Sequence, residues 1–213
     1  MAIDKEAMML AAFDGMVDAT WIQGPEVFVG ATLEGTYSFD PDGARALLAA
    51  HNIDPASLDF NIIASNEERN IMAEIIQTYL ADIGITVTIT RYDLATTLSM
   101  TVQGDYEAAF AGFTSSSLQG FMRGVFHQDS IPGNNRSRIL HQEISDLIDQ
   151  AVITIDTDAR TAILNEAVIL ANQFTGQIPV HMGTIISAFN ANLTVPELSA
   201  TGFLNLNMIN WVD

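Results

Sequence analysis

The sequence predicts an α/β layer fold, and three observations carry the expectation. Leu58, Phe60 and Ile62 alternate with Asp59 and Asn61, and Ile85, Val87 and Ile89 alternate with Thr86, Thr88 and Thr90. That period of two marks half-buried strands. Between them Ile71, Met72, Ile75, Ile76, Tyr79, Leu80 and Ile83 recur at helical spacing, which makes residues 58–91 a strand–helix–strand unit. A further helix and an apolar strand follow, and strands alternating with helices imply a mainly parallel sheet flanked by helices.

The remaining elements follow in chain order. Residues 4–15 read as a helix ending near Gly15. Residues 16–38, with Gly24-Pro25, Gly30 and Gly35, read as an irregular stretch long enough to need pinning to something. Asp40-Pro41 pairs an N-cap with a first-turn proline, opening a helix that turns Ala44, Leu47 and Leu48 to one side and ends at His51-Asn52. Ser65-Asn66-Glu67-Glu68 has the form of a capping box, and Gly84 stops the helix it starts. Leu94–Val102 is a helix ended near Gly104, and Glu107–Gly112 a third, buried strand. Residues 115–126 form a short helix with Leu118, Phe121, Met122 and Val125 on one side, and residues 131–139 a loop. Helices follow over 141–153, with Ile144, Leu147, Ile148, Ala151 and Val152 inward, and over 157–174, stopped by Gly176. Gln177–Ala188 reads as one or two strands, and Phe203–Trp211 as strand-like.

Composition narrows the function classes. The net charge is −18, with one lysine, Lys5, and seven arginines. Such a surface repels phosphate backbones and anionic lipid, so neither nucleic acid nor direct membrane insertion is expected. No apolar run approaches the ~20 residues of a membrane span. With no cysteine in 213 residues, disulfides, iron–sulfur clusters and cysteine zinc sites are excluded. The four histidines show neither the H-x-x-x-H nor the H-E-x-x-H spacing of a metal site, and no phosphate-binding glycine loop is present. His127 and Asp129 could share a metal or a loop hydrogen bond, and no cofactor is expected. Asn135 and Asn192 head formal glycosylation sequons.

Ser115-Ser116-Ser117 admits three readings. A nucleophile elbow needs G-x-S-x-G, but after Gly112 the serine falls one place late and the second glycine is missing. The run could simply cap the following helix. It could also lie on a ligand wall, because ligands of parallel sheets sit beyond the carboxyl ends of the strands. Three turns leave such ends, over residues 64–66, 92–93 and 113–117. They offer Asn66, Tyr92, Phe113, Thr114, Ser115, Ser116 and Ser117 as candidate ligand-binding residues, together with N–H groups at helix starts. Arg123 could meet an anionic ligand or one of the 26 acidic side chains, and Asn134 joins the candidates from its turn between Ile131 and Ile139.

Six pieces in order resemble the C-terminal part of the family 5 extracellular solute-binding proteins of ABC importers. They are AIDKEAMM, SFDPDGARALLAAHNI, MAEIIQTYLADIGITVTI, GDYEAAFAGFTSSSLQGFMRGVFHQDS, LIDQAVITIDTDARTAILNEA and IPVH. The resemblance implies a periplasmic-binding-protein-like (type II) lobe. Residues 1–213 would be a single second lobe, with 1–37 and 195–213 near the hinge and the first lobe largely absent. It implies non-catalytic binding of a peptide-like or other small polar solute, and delivery to an ABC transporter permease from the periplasm or cell surface. A signal or lipid anchor would lie outside this chain. In peptide-binding members an acidic residue of the loop after the third strand meets the peptide's amino terminus. Here Phe113 stands where they have tryptophan and no carboxylate follows, which weakens the case for peptide. The rivals are a serine hydrolase using residues 115–117 and a structural oligomerisation domain.

Overall fold

In the computed structural model, residues 1–23, 36–183, 187–196 and 204–212 are described. Gly24-Pro25, Gly30 and Gly35 of the expected loop, residues 184–186 of the expected strand region and Phe203 lie outside them.

Three parallel strands make the central sheet: β1 (Asp59–Ala64), β2 (Thr86–Arg91) and β3 (Ala108–Ala109), in the order β2-β1-β3. Asp59 pairs with Thr86 and Ala64 with Arg91, so the two longer strands run in register over six residues. The helix α1 (Lys5–Phe13) is capped by Asp4, and α2 (Pro41–Ala50) by Asp40. The helix α3 (Glu67–Asp82) links β1 to β2, and α4 (Leu94–Gln103) links β2 to β3. Ile62, Ala64, Ala73, Ile83, Ile85 and Val87 form the core between the sheet, α2 and α3. Met8 and Met9 of α1 pack on Met72 of α3. Beyond the sheet, α5 (Leu118–Phe126), α6 (Gln142–Ile153) and α7 (Thr157–Phe174) enclose a second core of Met122, Phe126, Ile144, Ile148, Val168 and Ala171.

Several expectations change. The third strand shrinks from six residues to a two-residue ladder. Glu107 Oε2 takes the N–H of Asn61 at 2.6 Å, so a carboxylate closes the end that backbone would otherwise extend. Within the described part of Gln177–Ala188 there is one bridge, His181 with Ala19. Pro179 lacks the donor a ladder needs, and residues 20 and 180 share a single bond, Thr20 N to Val180 O at 2.9 Å. Near the end, β5 (Asn210–Trp211) pairs antiparallel with β4 (Leu193–Thr194), after a 3-10 turn over Leu206–Met208 nucleated by the Asn205 side chain. Asn66 alone caps α3, accepting from Arg69 N, while Ser65 Oγ accepts from the Arg69 guanidinium. Val152 is 48% exposed instead of facing inward.

Candidate ligand-binding rim

Because β1, β2 and β3 run parallel, the segments that leave them emerge along one edge of the sheet. That edge carries Asn66 after β1 and Tyr92 after β2, while residues 113–117 follow β3 after three intervening residues and pack against the helix they open. All but Ser115, which is half-buried, are exposed. Each turn is fixed by the helix it opens. The Asn66 side chain accepts from Arg69 N at 3.0 Å, Asp93 from Thr96 N at 3.0 Å, and Ser117 Oγ from Gly120 N at 3.1 Å. The hydrogen bonds from Thr96 hold the Asp93 carboxyl below the usual carboxylate range.

The serines are occupied locally. Ser115 Oγ donates to Ser117 O at 2.9 Å and accepts from Ser117 N at 3.3 Å. Ser117 is the N-cap of α5, with extended backbone, and Ser116 is exposed. Phe113 lies across α5. Its ring is 6.0 Å from that of Phe121, and a Cβ on Gly124 would fall 2.6 Å from its Cζ. Glycine at 124 therefore lets an aromatic ring, still 36% exposed, rest on the helix beside the rim.

Two candidates sit apart from these turns. Arg123 Nη1 bonds Asp149 Oδ1 of α6 at 3.0 Å, the acidic-partner alternative left open by the sequence. Asn134 is exposed in a loop whose anchors are Arg136 O, accepting from the Tyr106 hydroxyl at 2.7 Å, and Arg138 Nη2, donating to Val102 O at 2.9 Å. Residues 102 and 106 precede β3, so these contacts tie Asn134's loop to the strand's entrance, not its exit.

Side-chain clusters away from the rim were less legible. His127 is buried, and its Nδ1 accepts from Asp129 N at 3.1 Å, which places the proton of a neutral ring on Nε2. Nε2 lies 3.3 Å from Asp149 Oδ1 but off the line of a well-formed hydrogen bond, so the contact is mainly electrostatic. Asp149 thus faces His127 and Arg123 together, and His127, then Arg123, depresses its proton affinity. No sequence signal linked residues 22 positions apart on different helices. Asn135 is fully buried, donating to His127 O and Ile139 O and accepting from Ile139 N, so its sequon is closed to a glycan in the folded chain. Among the described residues, no cluster of three or more His, Asp or Glu could hold a metal ion, and no helix is long and apolar enough to cross a membrane.

A parallel sheet flanked by helices, with its strand-end turns along one edge, defines a periplasmic-binding-protein-like α/β fold. The model of the family described as bacterial extracellular solute-binding proteins, family 5 Middle, matches residues 1–130, and the chain belongs to that family. It is 26% identical over 190 residues to the dipeptide-binding protein of Escherichia coli (strain K12), covering 84% of this chain and 36% of that protein. It is 24% identical over 194 residues to heme-binding protein A of Haemophilus influenzae, covering 84% of this chain and 34% of that one. HbpA2 from Haemophilus parasuis superposes with a TM-score of 0.83 at 25% identity, over 99% of this chain and 43% of the other. The dipeptide-binding protein from Pseudoalteromonas sp. SM9913, solved in complex with Met-Leu, gives a TM-score of 0.86 at 21% identity, over 99% and 43%. The chain thus spans little more than a third of the curated relatives' length, and those relatives are named as binding proteins.

Proposed function

We propose that this chain is one ligand-binding lobe of an exported solute receptor that hands a small polar or peptide-like solute to an ABC transporter permease, without catalysis. The observation that carries the reading is the shared rim. Three parallel strands point their exits the same way, and in this reading the turns that follow bring an amide, two aromatic rings and a run of hydroxyls to a face over which a second lobe closes. Family membership and the binding-protein relatives support it. In this reading residues 1–37 and 195–213 lie near the hinge. The exposure of Leu206, Met208, Trp211 and Val212 supports contact between that end and a part of the protein outside this chain. The protein would work in the periplasm or at the cell surface.

Rim chemistry bears on the solute. The loop over residues 113–117 brings hydroxyls and a phenyl ring but no carboxylate, so a peptide's amino terminus would find no counter-charge there. Arg123 is already paired, so the loop over residues 113–117 meets a solute by neutral hydrogen bonds and ring stacking, and the Asp93 carboxylate beside Tyr92 is the charge the rim turns offer.

The test is calorimetry of the complete protein with a panel of dipeptides and neutral polar solutes. Phe113→Ala should weaken binding of the solute at least tenfold, while the 213-residue chain alone binds it only at millimolar concentration or not at all. Micromolar binding by the isolated chain would contradict closure as the source of affinity. Fluorophosphonate labelling of Ser115, Ser116 or Ser117 would instead favour a hydrolase.

A further inference from the structure

Lys5, the single lysine of the 213-residue chain, is only 8% exposed. Its Nζ donates to Thr20 O at 3.2 Å and lies 4.3 Å from the centre of the Trp21 ring. Among the described residues no carboxylate comes within 4 Å of it, although the chain carries 26 acidic side chains. A buried ammonium without a counter-ion is costly, because a carbonyl and a ring face replace only part of its lost hydration. Burial accordingly lowers the Lys5 pKa to about 8.

Lys5 lines an open-mouthed cavity of about 140 Å³ between the start of α1, residues 21–23 and 36–37, and the end of α7, and Trp21, whose ring its Nζ overlies, lines it too. Neither this cavity nor the larger one beside it includes any of the three rim turns in its walls. Thr175, Ile178 and Pro179 also line it, a hydroxyl followed by apolar surface. Two amides at the cavity are already committed: Gln23 Nε2 donates to Gln177 O at 2.7 Å, and Gln177 Nε2 to Ser137 Oγ at 3.0 Å. The arrangement therefore offers two amines, the Lys5 side chain and the Met1 N-terminus, with little spare hydrogen bonding and an apolar wall.

We propose that this cavity is a second binding site, separate from the rim, which takes a small monocarboxylate with its oxygens on Lys5 and its aliphatic end against Ile178 and Pro179. The volume is that of roughly four or five waters at ~30 Å³ each, enough for acetate or propionate. The site does not rest on the solute-receptor reading, and either can fail without the other.

The experiment uses the single lysine as its own reporter. In a chain grown with ¹³C-lysine, one ε-methylene resonance is followed from pH 6 to 11 with sodium acetate, sodium propionate or sodium chloride at equal ionic strength. The other titratable groups facing the cavity are the Met1 amine, whose charge interacts with that of Lys5, and the Tyr37 hydroxyl; an N-acetylated chain titrated in parallel separates the Met1 contribution. Acetate and propionate should shift it saturably in the millimolar range and raise the Lys5 proton affinity at least tenfold, while chloride does neither. Lys5→Met, checked for folding by circular dichroism, should abolish acetate binding in calorimetry. A Lys5 resonance indifferent to both carboxylates would overturn the proposal. So would a proton affinity that drops in the Glu26→Gln or Glu34→Gln chain without any response to acetate, since a carboxylate of the chain itself would then already balance the charge.

Discussion

Lys5 and Asp149 show how single charges set the pH response. A lysine buried with a pKa of about 8 against 10.5 when exposed keeps its proton less readily in the folded chain. Between those values the unfolded chain binds more protons, so stability rises with pH across the window and the full desolvation penalty applies below it. The change is at most about 3 kcal/mol and smaller to the extent that water reaches the group. Tyr79 and Tyr106, whose proton affinities burial raises, oppose it above pH 10. The stability of the wild-type chain relative to Lys5→Met, from urea unfolding at pH 7.5 and 9.5, should therefore increase with pH, and a flat difference would contradict the buried charge. Asp149 works in the opposite direction. Its contribution is present above the unfolded value near 3.8 and is lost as pH falls through its depressed folded value. Its pair with Arg123 is exposed and contributes little, but Asp149→Ala leaves the buried His127 Nε2 without its neighbour. Because that contact is no formed hydrogen bond and Asp149 is exposed, a loss below about 1 kcal/mol at pH 7 is expected from urea unfolding, shrinking below pH 4.

Helix ends decide where the rim turns point. Ser117 holds the first turn of α5 through one bond to Gly120 N, so Ser117→Ala should cost about 1 kcal/mol and Ser117→Asp should restore most of it, as read by thermal unfolding. The same pair tests the serine run, because a capping role tolerates aspartate and a nucleophile does not. At the other end of α4, Gly104 adopts φ +80, and a Cβ there would meet Arg138 Nε at 2.3 Å. Gly104→Ala should destabilise by about 1–2 kcal/mol and release Arg138 from Val102 O, loosening the loop over residues 131–139. Elements with a clean period were legible: α3, β1, β2, α6 and α7 lie within a residue or two of the ranges their patterns imply. The third strand and the stretch after α7 were not, because whether an extended segment pairs depends on partners elsewhere, Glu107 against Asn61 and Val180 against Thr20.

For the molecule as a whole, net charge dominates. At −18 the folded chain repels itself, so added sodium chloride should raise its melting temperature between 20 and 300 mM as screening shortens that repulsion. A melting temperature that fell with salt would mean that specific ion pairs outweigh the net charge.

Local pattern was enough to determine the strand–helix–strand unit, its parallel strands and the three turns leaving their ends, since hydrophobic period, caps and strand direction are all written within about 30 residues. The resemblance to family 5 solute-binding proteins, set against residues 113–117, is what exposed the missing carboxylate after the third strand. What only the tertiary structure decided is which charges meet: Arg123 and His127 at Asp149, Asn134's loop at the entrance of β3, and Lys5 beside a cavity with, among the described residues, no carboxylate within 4 Å of its ammonium. Those outcomes depend on distances between helices far apart in the chain, and burial, which turns a charge from incidental to consequential, is a property of the packed molecule alone.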